Sequence, residues 1–503
     1  MPERRRSSRS EAVAVIDIGS NSGRVMVFER DASNHLRLLA GSRAPLRLVH
    51  DVDQRAELSE ATMARAMEAI RDFLAIAESA GAKRAVAVAT AAMRDANNAS
   101  RFTDRVEREL GIRVDIIGGL TEARLGFVGA VRGLSVSNGI LFDLGGGSLQ
   151  ITRFVGRRMR EATSLPFGAL RLSEKFLTAD PPTRKQLRRL RDHVRSRLKA
   201  DNVGRLLAGE RLVGTGGTLR NVAKIDRQAR QYPIGSLHSY ELAIDHLADV
   251  ADRLAATRLK RRDAIPGLSA ERADSIVGGA VAIHTLAEFV GAKSILVSGQ
   301  GVREGTALRM LKMAVGSPET VKEASLSSLV SRFDGFRPDT AQRRRRLASS
   351  LQRSLEPRAS AAIVHAIDHA ARVLDIGRTF DVVNRHERVA DILLTTELIG
   401  FSHDELALAS AIVLRAGDRH ADTLPLASVR EMDDGNLDRA ALILALADEI
   451  EARCPRNRTI DVTCTIARNV TISVPAMPSW LAKDIDKRFA QTFGRPLIVQ
   501  HRA

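Results

Sequence analysis

Residues 15–22 (VIDIGSNS) and 142–148 (FDLGGGS) carry one pattern twice. In each, an apolar run ends in Asp, Gly follows two residues later and Ser five later: Asp17, Gly19 and Ser22, then Asp143, Gly145 and Ser148. β-forming residues resume at 25–28 and 151–155. The pattern reads as strand, turn, strand, with a turn backbone bare enough for an anion to reach its N–H groups. One such turn is ordinarily just a hairpin. Two with the same polar offsets predict a duplicated fold whose turns face each other.

Charge suggests what those turns meet. Lys and Arg number 77 against 60 Asp and Glu, a formal charge of +17, which concentrates anions near the surface and predicts a polyanionic partner. Aromatic residues make up 4%, with Trp480 the single tryptophan, so stacking platforms for single-stranded nucleic acid are scarce and no nucleic-acid partner is expected. Cys454 and Cys464 are too few for a disulfide framework or a four-cysteine metal site; both are expected as free thiols in a reduced compartment. No apolar run approaches the ~20 residues that span a bilayer. The basic start lacks the apolar stretch of a secretion signal. The expectation is a soluble, cytoplasmic protein with no membrane partner, opening on a disordered basic arm over 1–11.

At 503 residues the chain has material for about three domains. Helical spacing over 59–80 (Met63, Met67, Ile70, Leu74), a strand at 85–89 running into TAAMRD (90–95), a strand at 114–117 and a helix over 121–131 define an α/β domain over 12–134. The second copy, 135–316, adds a helix over 182–200. Its Leu187, Leu190, Val194 and Leu198 form an apolar stripe, and Arg184, Arg188, Arg191 and Arg195 share another face. LVGTGGT (212–218) and ILVSGQG (295–301) are further strands entering glycine turns, giving four turns for one cleft. From 317 to 457 the pattern turns helical and includes the run Arg343, Arg344, Arg345, Arg346. The end, 458–503, reads as a small α+β cap: strands at 460–466 and 470–474, a helix at 480–489 and a strand at 497–500.

In this order the pieces resemble the exopolyphosphatase and guanosine pentaphosphate phosphatase (Ppx/GppA) family. The resemblance rests on VIDIGSNS, VATAAMRDANN (88–98), GGLTEARLGFVG (118–129), FDLGGGS, VGTGGT (213–218), ERADSIVGGA (271–280) and GQGVREG (299–305). It implies an α/β actin-like core of two domains, the duplicated RNase H-like fold shared with sugar kinases and Hsp70, then an all-α HD-like domain. It further implies an Mg²⁺-assisted hydrolase that removes terminal phosphate from inorganic polyphosphate, with guanosine pentaphosphate as the alternative substrate, working as a homodimer.

By resemblance, Glu122 is the catalytic base. A carboxylate at a helix start can orient and deprotonate an attacking water; it can equally be an N-terminal acid that the helix dipole stabilises. Ser20, Asn21, Gly145, Gly146, Gly147 and Ser148 match phosphate contacts. Arg94 matches an arginine near the cleft, the alternative being a surface charge at a strand end. Asp143 and Asp17 are the magnesium candidates, or the caps of their own turns. Two departures stand out: Gln150 replaces a glutamate, which weakens or rearranges the metal site, and Thr121 replaces an acid, which leaves Glu122 without a close like charge to raise its pKa. In the helical domain the expected His-Asp pair is Leu374 and Asp375, so metal chemistry there is lost; His386 is a lone histidine and the domain a scaffold for substrate and dimer contacts. Arg188, Arg191 and Arg195 are a candidate polyphosphate track, or simply a solvated face, with 258–262 and 343–346 as the next basic stretches. A small-molecule kinase of the same fold and a nucleic-acid-binding protein remain as other classes. TEARL argues against the first, and few aromatics against the second.

Overall fold

A computed structural model describes residues 11–418, 433–455, 461–475, 477, 480 and 482–502. Apart from Glu11, the basic arm expected over 1–11 lies outside the described residues. Two compact units separate by their packing: Met1–Tyr232 with Leu237–Ser325, and Pro233–Ser236 with Leu326–Ala503.

The first unit contains the duplication. β1 (Ala12–Ile18) and β2 (Ser22–Arg30) form the first hairpin, and β3 (Leu36–Pro45) extends it. β4 (Arg84–Ala89) and β5 (Val114–Ile116) then add in parallel, giving the order β3-β2-β1-β4-β5. The same moves recur with β6 (Gly139–Leu144), β7 (Leu149–Val155), β8 (Arg158–Leu165), β9 (Arg211–Thr215), β10 (Glu241–Ala243) and β11 (Ser294–Val297), in the order β10-β11-β9-β6-β7-β8. β1 and β6 each pair antiparallel with the strand after them and parallel with the next strand in their sheet. Both are therefore central, which is why their sequences are continuously apolar.

The helix Glu60–Ser79 is capped by Ser59 and buries Met63, Met67 and Ile70 against the first sheet's core. The helix Arg184–Ala200 opens on a capping box of Thr183 and Gln186 and buries Leu190, Val194 and Leu198 in the second sheet's core, with Leu187 partly buried beside them. Packing interleaves across the expected 134/135 division. The helix Gly119–Gly133 puts Phe127, Ala130 and Val131 on the second sheet, whereas the helix Val302–Met310 returns Ala307 and Leu308 to Val13 and Val15 of the first. These two helices approach closely: a Cβ on Gly305 would run into the Leu125 carbonyl, and one on Gly129 into that of Gly301.

The second unit is helical, with Pro338–Leu355, Ala361–Val373, Arg385–Thr395, His403–Ala416 and Asp434–Arg453 as its main helices. It ends in β12 (Thr463–Ile466), β13 (Val470–Pro475), the helix Lys483–Phe493 and β14 (Leu497–Arg502). β13 pairs antiparallel with β12 and parallel with β14. The run at 343–346 departs from its reading as an available cationic surface. Arg344 is fully buried, with its guanidinium on Asp375 (2.9 Å) and Asp448 (2.7 Å); Arg343 pairs with Glu451 and Arg345 with Asp368. In the other reserve stretch, Arg262 is buried and donates to the Thr257 and Ala273 carbonyls. His386 is half-buried, and burial lowers its pKa to about 4, so it is neutral at pH 7. Cys454 and Cys464 are free thiols. Among the described residues no helix is long and apolar enough to cross a membrane.

Candidate active site

In parallel α/β sheets, ligands gather at the carboxyl ends of strands. One cleft here is lined by the ends of β1, β6 and β9 and the loop after β11, through Asp17, Asp143, Thr215 and Gly301. The two predicted turns meet there. Each closes with the same bond: Gly19 N–H donates to the Ser22 carbonyl (3.2 Å) and Gly145 N–H to that of Ser148 (2.9 Å). A Cβ on Gly147 would sit 2.9 Å from Ser20 Oγ, and one on Gly146 3.4 Å from Asn21 Cβ, so the tips interlock.

Both turns are held from behind. Val49 N–H donates to the Ser20 carbonyl (3.1 Å), and Leu46 and Arg47 N–H to that of Asn21 (3.0 and 2.9 Å). Behind the second turn, Ala169 N–H donates to Gly145 (2.9 Å) and Leu170 N–H to Gly146 (3.1 Å). A trans peptide sets each carbonyl opposite the next N–H. The N–H groups of Asn21, Gly146 and Gly147 therefore face away from these braces, towards the cleft that their residues line. The same braced concavity is built twice, with the form of a backbone nest.

Glu122 lies on the same cleft in the first turn of Gly119–Gly133, 8% exposed. Arg94 Nη1 donates to its Oε2 (2.8 Å) and to the Ile117 carbonyl (2.8 Å). The arginine expected on phosphate is therefore engaged with the carboxylate expected as base. Burial pushes the Glu122 carboxyl up to about 7; Arg94 opposes the shift, while Asp143 and Asp17 add to it. As expected from Thr121, no acid adjacent in sequence raises this pKa; burial does so, with a smaller push from Asp143 and Asp17, which are distant in sequence. Asp143 is raised to about 6, first by burial and against the pull of Arg220, and burial raises Asp17 against Arg303 and Arg24.

Gln150 lies opposite Asp143 in the β6–β7 ladder, but its amide donates to Ser148 Oγ (2.8 Å) and Ser164 Oγ (3.2 Å). It fixes the turn serine, whose hydroxyl oxygen accepts this bond. Among the described residues no group of three or more His, Cys, Asp or Glu is placed to hold a metal ion. Arg188, Arg191 and Arg195 are not among the cleft-lining residues; Arg191 faces Asp252 (4.0 Å) and Arg195 pairs with Glu288 (3.1 Å).

Sequence reasoning missed four arginines, Arg24, Arg220, Arg272 and Arg303, which line the same cleft. Burial and mutual repulsion lower Arg24 to about 9, and burial with Arg220 and Arg43 lowers Arg272 to about 10. The signals were available. Arg24 stands opposite Asp17 in the first hairpin, and Arg272 and Arg303 fall inside two of the quoted motifs.

Comparison with known proteins agrees with this geometry. The chain is 31% identical over 303 residues to exopolyphosphatase 1 of Mycobacterium leprae, spanning 59% of this chain and 89% of that one. An exopolyphosphatase from Cytophaga hutchinsonii superposes with a TM-score of 0.56 at 25% identity, covering 61% of this chain and all of the other. The Aquifex aeolicus member of the Ppx/GppA family gives 0.53 at 26% identity, covering 60% and 98%. The sequence model of the Ppx/GppA phosphatase family matches residues 26–314, more than half of the chain and most of both sheets. The chain belongs to the Ppx/GppA phosphatase family.

Proposed function

We propose that the chain is an exopolyphosphatase, a phosphoric anhydride hydrolase that releases orthophosphate from the end of inorganic polyphosphate. The observation that carries this is the opposition, across one cleft, of two braced turns and four arginines, with three carboxylates of raised pKa, Glu122, Asp143 and Asp17, on its walls. Relatives named exopolyphosphatase support the substrate. Ser20, Asn21, Gly145, Gly146, Gly147 and Ser148 hold the terminal phosphoryl oxygens; Arg24, Arg220, Arg272 and Arg303 hold the phosphates behind it. Glu122 orients a water and takes its proton as the water oxygen bonds to phosphorus and the bridging P–O bond breaks, the electron pair leaving on the shortened chain. Arg94 keeps Glu122 aimed and biased towards its ionised form.

The donor set fits magnesium. Asp143 and Asp17 are half-buried carboxylates lining the cleft, and Mg²⁺ is usually held by one or two carboxylates plus substrate phosphates, so a third protein ligand is not required. When bound, the ion neutralises charge on the transferring phosphoryl group. Guanosine pentaphosphate is a second reading, because its terminal phosphate offers the same bond to the same residues.

Arg188, Arg191 and Arg195 extend the cationic surface for long chains. A homodimer, a cytoplasmic location and an HD-like ancestry of the helical unit complete the proposal; light scattering tests the first. The test of function is orthophosphate release from long polyphosphate and from guanosine pentaphosphate, side by side, with Mg²⁺ and with EDTA. Release from polyphosphate that EDTA abolishes is expected. No release from either substrate overturns the reading, and release from the nucleotide alone moves it to the second.

A further inference from the structure

The braces behind the two turns are joined to each other: His50 of one lies 3.4 Å from Glu174 of the other, Leu170 packs into the first sheet's core, and Arg171 alone among these also reaches a turn. The brace of the first turn leads into the helix Leu48–Arg55, which carries Asp53. The brace of the second is the start of the helix Ala169–Phe176, which carries Arg171. Arg171 Nε donates to Asp53 Oδ1 (2.9 Å), Nη2 to Asp95 Oδ2 (2.8 Å) and Nη1 to the Gly147 carbonyl (3.3 Å). That last bond sets the peptide whose N–H belongs to Ser148. Asp53 and Asp95 adjoin Val52 and Ala96 of the first sheet's core, Gly147 lies in the turn between β6 and β7 of the second sheet, and Arg171 sits between Leu170, in the first core, and Leu172, in the second. Its side chain is 16% exposed, so these charge-assisted bonds are partly screened from water.

We propose that Arg171 is a positioning residue that makes the geometry of the second phosphate turn depend on closure of the two halves. When Asp53 and Asp95 are within reach, the guanidinium is held where Nη1 meets Gly147, and Ser148 N–H is aimed into the cleft. When the halves part, the fork loses its anchors and the last amide of the turn loses its alignment. A planar guanidinium holds two carboxylates and a carbonyl in one rigid fork; an ammonium, with three donors on a single nitrogen, cannot reproduce that spread. Arg171 touches no reacting atom in this scheme and acts through the turn.

The proposal rests on the phosphate-turn reading above. Its test compares R171M, R171K, D53N and the double variant D53N/R171M for kcat and KM on long polyphosphate, and for equilibrium binding of tripolyphosphate by calorimetry, with circular dichroism on each. A loss of tenfold or more in kcat for R171M is expected, with less than half of the activity regained in R171K. D53N should be impaired, and D53N/R171M no worse than R171M, because both remove one linkage. Values of kcat and KM for R171M within twofold of wild type overturn the proposal, as does full rescue in R171K or additive losses in the double variant. If R171M fails to fold, D53N decides alone: kcat within twofold of wild type overturns it. Should the wild type release no phosphate from polyphosphate, the substrate reading fails instead. Arg171 is then judged by tripolyphosphate binding, where tenfold weakening in R171M supports its role and a change under twofold removes it.

Discussion

Glu122 has one cation in contact and two acids across the cleft, and the proposed reaction depends on the balance among them. Glu122→Gln keeps the volume and an acceptor for Arg94 but cannot accept a proton. Turnover should fall by a factor on the order of 10² to 10⁴ while tripolyphosphate binding changes little; a rate within threefold of wild type rules out the base role. Arg94→Met moves the pH profile. Arg94 lowers a carboxyl already near 7, so its removal raises that pKa further. The base is active when ionised, so the acid limb of kcat/KM should shift to higher pH, with rate lost at pH 7 and regained in alkaline buffer. A limb that stays in place disconnects Arg94 from Glu122. Sequence disclosed the turns because spacing along a strand encodes them, and it disclosed Glu122 through the family resemblance of TEARL. It did not disclose that Gln150 reaches Ser164, or that Arg94 serves Glu122, because those pairings cross between β7 and β8 and between two separate helices.

Helices differ in how openly they declare their buried face. In Glu60–Ser79 the apolar spacing is unambiguous and the expected core positions are buried. In Pro338–Leu355 the run of arginines hides the stripe: Arg344 lies on the line Ala341, Leu347, Leu351 and Leu355, and its charge is answered by Asp375 and Asp448 from other helices. Composition registers four cations, whereas the three-dimensional arrangement leaves Arg346 as the exposed member. Arg344→Ala takes the buried guanidinium from two carboxylates that keep Arg378 and Arg385, and should cost about 2–4 kcal/mol, read as a lowered denaturation transition; Arg346→Ala should stay within about 0.5 kcal/mol. The helix pair Gly119–Gly133 and Val302–Met310 invites a similar contrast. Gly305→Ala drives a methyl into the Leu125 carbonyl, so the helices must separate, costing about 1–3 kcal/mol and displacing Glu122. Gly118→Ala, also near Glu122, meets nothing within 4 Å and should change stability by less than about 1 kcal/mol. Differential scanning calorimetry with activity measurements separates the two.

Across the two units, similarity to known proteins and the proposed chemistry both belong to the first, while the net charge of +17 belongs to the entire chain. Long-chain specificity is where that charge should be felt. Reversing Arg188, Arg191 and Arg195 to Glu should depress hydrolysis of long polyphosphate far more than that of tripolyphosphate, because the cleft is untouched and Leu190, Val194 and Leu198 still bury the helix. Rising ionic strength should penalise long chains first in the wild type. Equal losses on both substrates would return the helix to a solvated face, an outcome its ion pairs with Asp252 and Glu288 make readable in the same variants.

The braces behind the turns also bear on the tempo of binding. A loop that must order itself around an anion makes association wait on that ordering, so its rate carries a temperature dependence of its own. Here the turn carbonyls are engaged by segments 46–49 and 169–171 as part of the fold. With Arg171 holding the two halves together, as in this structure, capture of a phosphate end is a collision with a finished cradle, limited by diffusion in the protein's field. Dissociation is governed by the short-range bonds inside the cleft. Stopped-flow measurements should accordingly find a single association phase that slows steeply with added salt, beside a dissociation rate that hardly responds to it.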